Sequence, residues 1–104
     1  MYEKLTAELI PNTHNYVHLL PHGGILNFGT DFPIVEADPF ENIRLAVTRI
    51  TDNGEFTPEH KIPLHECIKA YTYNNAYSNH NENAVGSIVK GKVADFVIMD
   101  TDLF

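Results

Sequence analysis

A chain of 104 residues with 43% hydrophobic content suits one small domain or part of a larger one, and it excludes wholesale disorder. Its 14 acidic and 7 basic residues leave a net charge of -7, which argues against nucleic acid or an anionic membrane as partner. The single cysteine, Cys67, excludes an internal disulfide, no apolar run is long enough to span a membrane, and the first residues lack the basic start and apolar centre of a signal peptide, so a reducing, cytoplasmic setting is expected.

Residues 3–10, EKLTAELI, predict a short helix that Pro11 ends. Residues 13–20, THNYVHLL, predict a second one, closed by Pro21 and the pair Gly23-Gly24. Residues 25–29, ILNFG, read as a strand. In an extended chain Ile25, Asn27, Gly29 and Asp31 share one face, and Leu26 and Phe28 share the other. Residues 39–50, PFENIRLAVTRI, form the clearest helix, with Asp38 as N-cap, Pro39 at the first position and Glu41 completing a capping-box-like start. Its apolar stripe is Phe40, Ile43, Ala46, Val47 and Ile50. Residues 51–62 read as a loop around Asn53-Gly54 and Pro58. Residues 63–77 predict another amphipathic helix, buried through Leu64, Cys67, Ile68 and Tyr71. After a polar connector, 78–85, residues 86–100 turn to β character. Lys90-Gly91 is a turn there, and Val93 to Met99 is apolar on both faces apart from Asp95, the pattern of a strand buried on both sides. One strand followed by two helices is a βα unit, too little to close a sheet. A chain that then ends on Leu103 and Phe104 reads as a fragment.

The chemistry-bearing residues are few. Asp31 follows the strand in the stretch GTDFP, where it is either a turn residue or a carboxylate at the carboxyl end of a barrel strand. The small and polar face of Asn27, Gly29 and Asp31 suits a barrel mouth. Among the six histidines, His14, His18 and His22 are spaced four apart, but Pro21 pushes His22 past the helix end. Two imidazoles without a carboxylate do not close a zinc site. His65-Glu66 lacks the second histidine of a metalloprotease helix, and His60 and His80 read as loop residues. Cys67 lies on an apolar stripe and reads as a small buried hydrophobe, not a nucleophile. The Gly86-Ser-Ile-x-x-Gly91 run precedes a strand instead of opening a helix, so it is no phosphate loop.

Three stretches together resemble the C-terminal part of the amidohydrolase superfamily, in its amidohydrolase-3 branch: GGILNFGTDFPIVEADPFENIRLAVTR (23–49), IPLHECIKAYTYNNAY (62–77) and GSIVKGKVADFVIMDTDLF (86–104). The third is the most specific. The resemblance implies an α/β fold. Residues 1–85 would be the end of a (β/α)8 metal-dependent hydrolase barrel, and residues 86–104 the return to a small composite β-sandwich. It implies hydrolysis of carbon-nitrogen, non-peptide bonds, with Asp31 as the last-strand acid/base that also touches the metal. It implies a divalent metal, zinc in the first instance, in a full-length parent. The partners would be the remainder of that barrel and a small-molecule substrate. The family's His-x-His is nowhere in this sequence, so tight metal binding by these residues alone is not expected. The alternative is a stand-alone noncatalytic interaction module or an inactive remnant, and in either case unpaired strand edges would favour self-association.

Overall fold

The computed structural model describes residues 4–104. The fold is α/β, with α-helices α1 (Pro39–Thr48), α2 (Leu64–Tyr71) and α3 (Tyr73–Ser78) and one two-stranded antiparallel sheet, β1 (Ile50–Thr51) with β2 (Gly54–Glu55). Among the described residues, 3-10 segments also run over Ile10–Asn12, Tyr16–His22 and Pro58–His60.

The predicted helix at 3–10 does not form over its described residues. The chain turns there instead, and Pro11 sits inside the 3-10 segment that follows. The predicted helix at 13–20 is a 3-10 helix shifted to Tyr16–His22. Pro21 lies within it, and Gly23, left-handed at φ 78°, ends it. A 3-10 helix turns every three residues, so His18 and His22 do not share a face.

Helix α1 begins at the predicted cap, but Glu41 does not close the capping box, because its carboxylate accepts from Arg44 at 2.6 and 2.8 Å instead. Asp38 Oδ1 accepts the Phe40 N–H at 2.8 Å, and Pro39 occupies the first position. It stops two residues early because Arg49 turns left-handed at φ 60°. That turn is held from outside the helix. Arg49 Nε donates to the Phe56 carbonyl at 3.0 Å, Nη2 donates to Thr57 Oγ1 at 2.6 Å, and the guanidinium lies 5.2 Å from the Phe56 ring centre. The stretch predicted as a loop therefore contains a hairpin, with Ile50 opposite Glu55 and Thr51 opposite Gly54. Asp52-Asn53 is its tip, and Gly54 follows at φ 98°.

The long helix predicted at 63–77 breaks at Thr72, whose backbone is non-helical at φ -119°, ψ -93°. The break separates α2 from α3. Leu26, Ile62, Cys67 and Ala70 form the core, and Val17, Leu20, Phe28, Ile43, Ala46 and Val47 pack on it. Leu26 and Phe28 thus face inward as the alternation predicts, while Ile25 and Asn27 are exposed.

Residues 25–29 run extended but belong to no ladder among the described residues, and 93–99 also lacks a ladder and is bent at its start, where the Asp95 N–H donates to the Val93 carbonyl at 2.9 Å. The expected burial of the second run on both faces is not met. Val97 and Ile98, which point to opposite faces of an extended chain, are 79% and 86% exposed. The radius of gyration is 15.6 Å, where a closed domain of this length would have about 13 Å. No helix among the described residues is long and apolar enough to cross a membrane.

Candidate active site

Asp31 sits where the extended segment ends. Its backbone is left-handed at φ 53°, its carbonyl accepts the Ile34 N–H at 2.9 Å, and the Phe32-Pro33 peptide within this turn is cis. The residue is therefore a turn residue, and its carboxylate is exposed to solvent. A turn and a working carboxylate are compatible, because the turn lifts the side chain clear of the core that Leu26 and Phe28 enter.

The segment leading to Asp31 is held on one side by α2 and α3. Asn74 Nδ2 donates to the Leu26 carbonyl at 2.8 Å, and Asn75 Nδ2 donates to the Phe28 carbonyl at 2.9 Å. The Phe28 N–H donates to the Ala70 carbonyl at 3.3 Å. In the amide orientation that its neighbours demand, Asn27 also donates to the Asn74 carbonyl at 3.0 Å and accepts from Ser78 Oγ at 3.2 Å. From α1, Asn42 Nδ2 donates to Tyr71 Oη at 2.8 Å and reaches the Gly29 carbonyl at 3.4 Å. The Phe28 and Tyr71 rings meet edge to face, 5.6 Å between centres. None of these asparagines stands out in the sequence as more than a polar helix residue. The signal that could find them is a run of amides on a helix opposite a strand with no second strand beside it.

The histidines are not assembled around Asp31. His14 is left-handed at φ 55°, and His18 lies in the 3-10 helix, 3.2 Å from Asn15 Nδ2 through its Nδ1. His60, read as a loop residue, is instead 2% exposed, with its ring edge-on to that of His18 at 5.6 Å. Among the described residues no group of three or more His, Cys, Asp or Glu side chains comes together to hold a metal. Asp31 by itself offers one carboxylate, so these residues do not make a donor set for the metal that the resemblance implies.

Cys67 has no solvent exposure, and its thiol donates to the Ile62 carbonyl at 3.7 Å. Burial, reinforced by the neighbouring Glu66 carboxylate, pushes its pKa up to about 11. A thiol so hard to ionise is a packing group, as its stripe position predicts.

The fold alone does not identify the chain, but its sequence matches known proteins along nearly its whole length. The profile of the amidohydrolase family matches residues 3–104, and the chain belongs to that family, in the amidohydrolase-3 branch. It is 30% identical over 103 residues to protein LONG AFTER FAR-RED 3 of Arabidopsis thaliana, covering 96% of this chain and 18% of that protein. It is 32% identical over 106 residues to YtcJ of Bacillus subtilis (strain 168), whose name assigns it provisionally to the amidohydrolases, covering 98% of this chain and 20% of that protein. The chain thus spans about a fifth of the length of these relatives. No solved structure gives a significant match.

Proposed function

We propose that these residues are the segment of a metal-dependent hydrolase of carbon-nitrogen, non-peptide bonds that carries the last barrel strand, and that Asp31 is its acid/base. One observation carries the reading: within a chain matched to the amidohydrolase family from 3 to 104, Asp31 ends an extended segment that the helices brace, and the residue is exposed. A carboxylate so placed can take a proton from the attacking water and return it to the departing nitrogen. The divalent metal of such an enzyme, zinc by expectation, would supply Lewis acidity. Groups outside these residues would hold it, with Asp31 as the matched ligand from this segment. Residues 25–29 would take their place between neighbouring barrel strands, and residues 86–104 would enter the β-sandwich.

The test is Asp31→Asn in the full-length protein that contains this segment. An amide keeps the shape and cannot accept the proton, so turnover should fall by roughly 10²–10⁴-fold while metal content, measured by elemental analysis, stays near that of the unmodified protein. Turnover within a few-fold of the unmodified protein would leave Asp31 as a turn residue alone.

The exposed run 93–99 favours a second reading, a noncatalytic module that pairs with another chain through this segment. The two readings separate on turnover, which such a module does not show in any assembly.

A further inference from the structure

The segment that carries Asp31 lacks a neighbouring strand among the described residues, yet three of its backbone groups along one edge are paired. In an extended chain, residues 26 and 28 direct their N–H and C=O groups to the same side. On that side stand Asn74 Nδ2 at 2.8 Å from the Leu26 carbonyl, Asn75 Nδ2 at 2.9 Å from the Phe28 carbonyl, and the Ala70 carbonyl at 3.3 Å from the Phe28 N–H. Along the segment these partners run donor, acceptor, donor, and so stand in for the edge of a strand. Asn74 is 4% exposed, so its amide is committed to this bond and not to water. Asparagine is a poorer helix former than alanine. Two in succession within the short helix Tyr73–Ser78 are explained by what they hold.

We propose that Asn74 and Asn75 are positioning residues for Asp31: their amides act as a surrogate strand edge that fixes residues 26–28 and so sets where the carboxylate is presented. The inference rests on Asp31 being the working carboxylate of the proposed function. Its test reads the segment itself and uses no turnover, so either idea can fail without the other.

The decisive variant is Asn75→Asp in the 104-residue chain, followed by NMR. A carboxylate only accepts, so at neutral pH it faces the Phe28 carbonyl without a donor. A protonated carboxyl has an O–H to donate. At neutral pH the Phe28 amide should lose protection roughly tenfold, about the net worth of one hydrogen bond. Protection relative to the unmodified chain should return below about pH 4, as the new carboxyl protonates. At neutral pH the Asp31 resonances should differ from those of the unmodified chain, and the Leu45 amide in α1 should not change. In Asn75→Ala the loss should appear at all pH values with no recovery. If the Asp variant unfolds as a whole at neutral pH, the alanine variant decides by the same two readouts. Unmoved Asp31 resonances, or an equal loss of protection at Leu45 and Phe28, would overturn the proposal.

Discussion

At the scale of single residues, the groups that look reactive and the groups that carry structure are different ones. Cys67 is the plainest case. It is fully buried, and its pKa is pushed up to about 11 from an ordinary 9.0, by burial first and then by Glu66. The folded state therefore favours the protonated thiol. That contribution is fully present below pH 9 and is lost as pH rises toward about 11. A displacement of this size is worth about 2–3 kcal/mol. Urea unfolding between pH 7 and 11 should show the unmodified chain losing about that much more stability than Cys67→Ala over the upper part of the range. Parallel curves would show that the thiol contributes no such linkage. Lys92 has a structural part of the same kind. Its ammonium donates to the Glu82 carbonyl and to Ser87 Oγ, and it lies 5.9 Å from the Tyr73 ring centre, so it ties the 82–87 loop to α3.

At the scale of elements, that loop also shows how backbone and packing demands combine at one glycine. Gly86 has φ 85°, and a Cβ there would stand 2.6 Å from Ala76 Cβ and 3.1 Å from Tyr73 Cα. Gly91 has a similar backbone, φ 97°, with nothing within 4 Å of the same atom. Replacing either by alanine incurs the left-handed backbone cost of about 1–2 kcal/mol. Gly86→Ala adds an overlap with a helix that has to move, about 1–3 kcal/mol more. Thermal unfolding should therefore separate the two, with Gly86→Ala clearly the less stable, and equal melting temperatures would contradict the close approach to α3. What the sequence makes legible follows the range of the forces involved. Helix α1 is readable because Asp38 and Pro39 act within one turn. The break at Thr72 is not, because Asn74 and Asn75 bond to carbonyls 48 and 47 residues away. The early end of α1 is hidden similarly, since Arg49 is held by Phe56 and Thr57 across a hairpin. At the candidate site, the turn at Asp31 is legible through the GTDFP stretch, whereas the brace on the segment before it exists only after folding.

At the scale of the whole molecule, the balance lies between exposed apolar surface and net charge. Ile88, Val97, Ile98 and Phe104 are 89%, 79%, 86% and 81% exposed. The run 93–99 has no ladder partner among the described residues, and beyond Val93 and Asp95, whose N–H groups donate to the Ala84 and Val93 carbonyls, it offers an edge to another strand. Fully burying one such side chain is worth about 1.5–3 kcal/mol, and a pair of these runs would bury several at once. Against this stands a net charge of -7 on each copy. Between exposed charges that repulsion is screened beyond about 10 Å at 0.1 M salt. The attraction does not weaken with salt, so the two effects separate experimentally. The chain should self-associate at tens of micromolar, and more strongly as salt is raised. Sedimentation equilibrium should then give a mass above the 11.7 kDa of one copy, rising between low and moderate ionic strength. Ile98→Lys places a charge in the middle of the run and should return the chain toward a monomer without altering the helical circular dichroism of α1 to α3. A monomer at every salt concentration, with a cooperative thermal transition, would show that the exposed run does not recruit a second copy and that the core around Leu26, Ile62, Cys67 and Ala70 suffices by itself.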